Sequence, residues 1–513
     1  MNNLGETVEQ LDPNEDLSNE VVKKRAIRGA AILTARTIFI QAISFISIAL
    51  LTVFLEPLEF GVFFLVSAVI NFLKYFSDIG FAAALIQKKE ALSDEQLKTI
   101  FTVQQILISA ILIFVFFATS LIRNIYNLNQ DSIYLLWALS FSLLLSSLKT
   151  IPSVMLERRL EFNKLVIPEI VETIVFSFTT VYLAWKGCGV TSFTVGVILR
   201  GITGLITVYF IQPWVPGLAF SKKALSSLLK FGIPYQVNTF LAMVKDDGMI
   251  LFLGGILGPS GIGLLGWAQK WAYAPLRFFM DQVIKVTFPA FSRLQDNKKE
   301  LSDTVSKAIF FICLLTFPTL VLLVLLVPSL TEVIPKYNKW NPALFALTLI
   351  SATSAFAAVT TPLTNMLNAI GKISVTFKLM VMWTVLTWVF VPILSILYGL
   401  NGAAAGFALV GLSSIVGIIA ASRFIDINYL QIVGNPFVAS VLMGVLVFIL
   451  QRLLPLSFFS VILLVVTGLL VYGLTIIAIE HKLLILIKNL KLFLLSFVVV
   501  VLLLTPKELF AKS

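Results

Sequence analysis

Apolar segments long enough to cross a bilayer follow one another along the chain, separated by short polar steps. At the spanning length of about twenty residues they fall at roughly 29–55, 60–86, 98–121, 132–155, 165–185, 189–211, 228–257, 258–284, 304–328, 341–366, 373–399, 400–424, 435–454 and 456–479. This pattern predicts an all-α polytopic membrane protein with about fourteen transmembrane helices. A further run, Leu492 to Leu504, is short for a crossing and stands between an interfacial segment and a fifteenth span.

The pattern also repeats. Leu55-Glu56-Pro57-Leu58-Glu59-Phe60-Gly61 joins the first two segments, and Leu257-Gly258-Pro259-Ser260-Gly261-Ile262-Gly263 joins the seventh and eighth, with Leu, Pro and Gly at the same spacing. Each loop is followed by an i,i+4 charge pair, Lys74/Asp78 and then Arg277/Asp281, and each pair encloses two aromatics. The fourth segment ends on Thr150-Ile151-Pro152 and the tenth on Thr360-Thr361-Pro362. Six segments per repeat is an even number, so both copies enter the membrane from the same side. The expected body is two six-helix lobes in parallel repeat plus two C-terminal helices. The divisions read from the chain are an acidic tail at 1–24, an N-lobe at 25–227, a C-lobe at 228–430, two appended helices at 431–480 and an extension at 481–513.

With 58% hydrophobic and 13% charged residues, no polar stretch is long enough to enclose a soluble core. The formal charge of +11 does not point to nucleic acid, because the cations sit in short loops, where they suit membrane orientation and anionic headgroups. Placing the N-terminus in the cytoplasm puts roughly 24 Lys and Arg inside against roughly 5 outside, as the positive-inside rule favours. Residues 1–22 are polar and acidic, with no apolar core before Lys23, so no cleavable signal peptide is expected and the tail reads as disordered. His481 stands beside Glu480 without metal-ligand spacing, and no P-loop appears. Neither an enzyme nor a cofactor or metal is expected.

A charge at the bilayer centre costs at least about 2.5 kcal/mol, so mid-span charges normally face protein or a water-filled interior. Lys74/Asp78 and Arg277/Asp281 are read either as neutralising pairs or as cavity-lining groups, the cation meeting an anionic substrate and the carboxylate orienting it or taking up a coupling ion. Lys245, Asp246 and Asp247 lie mid-span in the seventh segment and Lys270 in the eighth. Three consecutive charges cover much of a helix circumference, so at least one is expected to face water. Arg36 and Arg200 are further cavity candidates, weighed against snorkelling and interhelical bonding. Lys149, Glu169 and Glu172 sit near segment ends, where snorkelling accounts for them. Pro152, Pro234, Pro275 and Pro362 are candidate hinges.

Several stretches then carry a resemblance: Arg25-Ala26-Ile27-Arg28-Gly29, Asp78-Ile79-Gly80-Phe81-Ala82-Ala83-Ala84-Leu85-Ile86-Gln87, Glu157-Arg158-Arg159-Leu160-Glu161-Phe162, Leu257-Gly258-Pro259 and Phe288-Pro289-Ala290-Phe291-Ser292-Arg293-Leu294-Gln295. Over residues 25 to 480 the chain resembles the polysaccharide transporter (O-antigen and exopolysaccharide flippase) family of the multidrug/oligosaccharidyl-lipid/polysaccharide exporter superfamily. The resemblance implies a MATE-like fold around a cationic cleft. It further implies a flippase in the cell (inner) membrane that moves a polyprenyl-diphosphate-linked oligosaccharide from the inner to the outer leaflet by alternating access, driven by an ion gradient or potential. Membrane lipids would be partners, with a polysaccharide polymerase and export machinery as further ones. Family members often place Arg and Asp mid-span in the seventh helix. Here Lys245 with Asp246 and Asp247 occupy that place, and Lys is the weaker bidentate ligand for diphosphate.

On this reading Lys74, Arg200, Lys245, Lys270, Arg277 and Arg36 are the substrate-binding candidates. Asp78, Asp246, Asp247 and Asp281 balance charge or couple an ion. A MATE-like drug/ion antiporter is the first rival, and it predicts a net acidic cavity. A non-transporting scaffold of a glycan synthase complex is the second, and it needs no buried charge in both lobes.

Overall fold

The computed structural model describes residues 19–77, 80–87 and 92–479, and the Leu492–Leu504 run lies outside them. The N-lobe helices are α1 (Asn19–Phe54), α2 (Pro57–Lys74), α3 (Phe81–Gln87), α4 (Asp94–Tyr126), α5 (Gln130–Leu148), α6 (Thr150–Arg158), α7 (Phe162–Trp185) and α8 (Thr191–Ile211). The C-lobe holds α9 (Lys222–Arg293), α10 (Lys298–Val333), a 3₁₀ turn (Tyr337–Ala343), α11 (Leu344–Ala369), α12 (Ile373–Leu412) and α13 (Ser414–Ala421). After it come α14 (Tyr429–Ile432), α15 (Gly434–Leu453) and α16 (Phe458–Ile479). Twelve of these stretches are long and apolar enough to cross a membrane. Two of the twelve are hairpins. α9 breaks at Gly258 (φ 66°) and α12 at Gly399 (φ 59°), left-handed conformations that glycine adopts without steric cost. The described residues thus hold the fourteen crossings that the hydropathy pattern predicts, and no strand.

Two segment boundaries differ from the hydropathy reading. The second segment stops being helical after Lys74 and resumes as the short α3 beyond Gly80 (φ 70°), rather than running unbroken to 86. The fourth breaks at Lys149, between α5 and α6. Pro152 gives the cause: it has no N–H to offer the carbonyl four residues back, that of Leu148. The Tyr209 hydroxyl donates to that oxygen instead, at 3.0 Å. Pro275 and Pro362, by contrast, sit inside continuous helix.

The two repeated loops meet. The backbone of Gly61 lies so close to Pro259 that a Cβ at Gly61 would stand 1.5 Å from the Pro259 carbonyl oxygen. The reciprocal contact holds at Gly263, whose Cβ would stand 1.7 Å from the oxygen of Pro57. Each Pro-x-x-x-Gly step therefore receives the other, a backbone-to-backbone crossing that only small residues permit. Beside it, Trp340 stacks on Trp267 at 5.1 Å and meets Phe60 edge-on at 5.6 Å. The lobes also reach across to each other's first helices. The Tyr126 hydroxyl at the end of α4 donates to the Leu251 carbonyl (3.2 Å), while Trp340 Nε1 donates to Thr52 O (2.8 Å) and Lys339 Nζ to Val53 O (2.9 Å).

At this loop end the lobes are sealed by a buried layer including Leu55, Leu65, Trp267 and Trp340. Towards the opposite end Lys74, Lys270, Arg277 and Asp281 are exposed, and the facing surfaces of α2 and α9 there are termed the cleft faces. α15 and α16 pack on α10 through Leu322, Met443, Val447 and Leu464.

Forcing a methyl group into the crossing should destabilise it, overpacking costing about 1–3 kcal/mol. Gly61→Ala and Gly263→Ala are each expected to lower the thermal unfolding midpoint of the purified protein, whereas Gly255→Ala, with open space around its Cβ, should not. Equal midpoints for all three would contradict the crossing.

Candidate functional site

The mid-span charges fall into two groups. The first lies on the cleft faces of α2 and α9. Asn71 hydrogen-bonds to Asp247, and Lys245 pairs with Asp246 at 2.6 Å. Two turns separate Lys270 from Arg277 on one face of the second arm of α9. The Lys270 ammonium sits 6.0 Å from the Phe64 ring centroid, a weak cation–π contact. Asp281 accepts from Gln41 Nε2 at 3.3 Å and Lys285 Nζ donates to Thr37 Oγ1 at 3.4 Å, both joining α9 to α1. Among the described residues Lys270 and Arg277 form no ion pair, and none joins Arg277 to Asp281. Asp78 lies outside the described residues.

The second group encloses a cavity of about 480 Å³ inside the N-lobe, lined by α1 to α8. Arg36 of α1 pairs with Glu169 of α7 at 2.5 Å. Glu172, almost a turn further along α7, holds two cations: Lys149 from the α5–α6 break and Arg200 of α8 at 3.4 Å. Glu172 is seated against bare backbone. A Cβ on Gly204 would stand 1.8 Å from its Oε1, so the glycine makes room for the carboxylate. Lys74 and Glu157 also line this cavity. Arg36 and Arg200 thus sit in a network of their own, apart from Lys245, Lys270 and Arg277.

Lys149, Glu169 and Glu172, which a sequence reading leaves to snorkelling, are central to that network. The signal for them was their spacing. Glu169 and Glu172 lie i,i+3 on one helix face, in a lobe whose other helices supply Arg36, Lys149 and Arg200. Among the described residues no cluster of His, Cys, Asp and Glu is arranged to hold a metal.

A family model described as polysaccharide biosynthesis protein matches residues 50–345, more than half of the chain. The chain belongs to this family. Among curated relatives it is 24% identical over 396 residues to the lipopolysaccharide biosynthesis protein WzxC of Escherichia coli, covering 76% of this chain and 79% of that one. It is 23% identical to the teichuronic acid biosynthesis protein TuaB of Bacillus subtilis, over 59% of this chain and 63% of the relative. Two solved structures share the fold. The lipid II flippase MurJ, in an inward closed conformation, gives a TM-score of 0.74 at 15% identity, over 88% of this chain and 99% of that one. An inward-facing multidrug resistance MATE family transporter gives 0.57, also at 15% identity, over 76% of this chain and 94% of that one. The chain is a multi-pass membrane protein of the MATE-like fold.

Removing one member of a buried ion pair strands the other, at about 3–5 kcal/mol for a fully buried pair. Glu172→Ala should therefore lower stability by about 3 kcal/mol, the low end, because Arg200 is half exposed. Lys149→Met combined with Glu172→Met should recover most of that loss in thermal unfolding, and no recovery would contradict the pairing.

Burial pushes the Glu157 carboxyl, on α6, above its ordinary value of 4.5. The folded chain then holds a proton that the unfolded chain releases, so stability falls as pH rises from that ordinary value through the folded one. Glu157→Gln should flatten this fall and leave stability near neutrality equal or higher. A steeper fall in the variant's unfolding midpoint across pH 4 to 8 would contradict it.

Proposed function

We propose that the protein is a flippase for a polyprenyl-diphosphate-linked oligosaccharide, serving the synthesis of a surface polysaccharide such as O-antigen, capsule or exopolysaccharide. The observation that carries the reading is the pair of uncompensated cations, Lys270 and Arg277, on the cleft face of α9. Unpaired cations in an apolar span are costly, and a fold retains them where an anion comes to meet them. A diphosphate is such an anion, and Arg277 offers it a planar fork of donors while Lys270 offers a point charge. Lys245 and Lys74 extend the cationic surface. Asp246, Asp247 and Asp281 limit its net charge and serve as acceptors for sugar hydroxyls or a coupling ion.

With the N-terminus in the cytoplasm, the sealed loop end faces outwards and the cleft opens inwards, towards the leaflet where the loaded lipid is made. Alternating access then requires the loop-end seal to part while the two lobes rock about the cleft. Membership of a polysaccharide biosynthesis family and the name of MurJ as a lipid II flippase fit this reading. The protein acts on it as a transporter rather than an enzyme, in the inner membrane, with a polysaccharide polymerase and export machinery as downstream partners. The excess of cations in the cleft speaks against a drug antiporter with an acidic cavity.

The test is leaflet-to-leaflet movement of a labelled polyprenyl-diphosphate oligosaccharide in proteoliposomes. Arg277→Ala, expressed and folded like the parent, should slow it at least tenfold, the loss of one charge-assisted contact of about 1.5–3 kcal/mol. Undiminished movement would remove the cleft cations from the mechanism.

A further inference from the structure

The geometry of the N-lobe cavity points to a sugar-binding pocket, which we propose holds part of the glycan head while the cleft cations hold the diphosphate; this rests on the flippase reading. Its volume of about 480 Å³ lies within the range of about 300–1,000 Å³ typical of small-ligand sites. Its walls are polar on many sides. Besides the ion-paired residues they include the hydroxyls of Ser146, Ser147, Thr150, Ser153 and Thr173.

The charge balance selects among ligands. Arg36, Lys74, Lys149 and Arg200 face Glu157, Glu169 and Glu172, a formal surplus of one positive charge, and most of these charges are already paired. A diphosphate would need several free cations, and an apolar tail would desolvate every one of these groups without return. Sugar hydroxyls need neither. Carboxylates held in ion pairs keep spare lone pairs, and their charge strengthens the hydrogen bonds that they accept from a hydroxyl.

Two groups in the cavity wall await such a partner. Gln104 is 5% exposed and donates from Nε2 to Thr150 Oγ1 (3.2 Å), yet its Oε1 is buried with no hydrogen bond among the described residues. The Nε of Arg36 is in the same position, a donor without an acceptor. Buried polar atoms are nearly always satisfied, and a small side-chain rotation would turn this orphan acceptor and this orphan donor to a hydroxylated ligand in the cavity. The seat that Gly204 provides for Glu172 fixes the acceptor array in advance. The pocket and the cleft share α2. Lys74 lines the cavity, and Asn71, three residues before it on α2, bonds to Asp247 in the cleft.

The experiment compares four ligands by thermal stabilisation of the purified full chain: polyprenyl diphosphate alone, and the same lipid carrying a hexose, an N-acetylhexosamine or a hexuronic acid. At least one sugar-bearing lipid should bind about tenfold tighter than the bare lipid, the gain of one or two good hydrogen bonds. Gln104→Leu should abolish that gain and leave the affinity for bare lipid unchanged. Thr150→Val, which removes one wall hydroxyl and frees the Gln104 amide, should reduce the gain by a milder route and covers the case in which Gln104→Leu fails to fold. Arg277→Ala should weaken all four ligands together. Bare lipid bound with no gain from any sugar would overturn the pocket alone, as would Gln104→Leu or Thr150→Val weakening all four equally. No binding of the bare lipid would count against the flippase reading and remove the pocket's premise with it.

Discussion

Two glycines and two prolines hold this molecule together where its halves meet. Gly61 sits on the carbonyl of Pro259 and Gly263 on the carbonyl of Pro57, at distances that leave no room for a side chain on either glycine. In a bilayer the hydrophobic effect gives helices no reason to prefer each other over lipid, so close backbone approach and local polar contacts must supply the attraction. The crossing provides both, and it does so twice through near-equivalent residues. Because its two halves are alike, neither lobe is the fixed frame for the other, as a rocking movement of two similar bodies requires. The aromatic layer of Phe60, Trp267 and Trp340 completes the seal, and Lys339 pairs with Glu56 across it at 3.6 Å, so parting it breaks dispersion contacts, a few hydrogen bonds and one ion pair at the exposed edge.

Away from the crossing, the charges divide the labour. The cleft group is under-compensated and its Lys270 and Arg277 are exposed, which on the flippase proposal suits a ligand that arrives and leaves. The N-lobe group is largely compensated, with Glu172 between Lys149 and Arg200 and Glu169 on Arg36, and it ties α1, α7 and α8 to the α5–α6 break. Such a network is stiff and directional. It gives the lobe a polar interior within the membrane.

Much of this was legible in the chain. Apolar length alone yields fourteen crossings, and the Pro-x-x-x-Gly repeat in the loops gives the two-lobe plan because the same local solution is used twice. What the repeat does not disclose is that its two copies touch, since nothing in a linear pattern distinguishes a shared local motif from a shared interface. The break at Lys149 was hidden for a similar reason. Pro152 announces a disturbed helix, but whether the helix kinks or runs on depends on a distant partner, here the Tyr209 hydroxyl on the Leu148 carbonyl. The same ambiguity explains the glutamates of α7. Glu169 and Glu172 stand near the end of an apolar segment, where snorkelling is a sufficient explanation, and only the arrival of Arg36, Lys149 and Arg200 from three other places in the chain makes them an interior network. Arg36 and Arg200, open in the sequence between cavity lining and interhelical bonding, form interhelical ion pairs with Glu169 and Glu172, and nothing in their spacing sorts them from Lys270 and Arg277.

The account stands or falls on whether the lobes move against each other about the loop-end crossing. The most direct measurement is a pair of distance distributions between spin labels placed at matched positions, one at Leu58 and Ser260 on the sealed end and the other at Phe76 and Phe278 at the cleft. All four positions are exposed. Adding polyprenyl-diphosphate-linked oligosaccharide in a bilayer should lengthen the first distance and shorten the second within the same population of molecules. Two distances that stay fixed, or that change in the same direction, would contradict alternating access and with it the role assigned to the crossing.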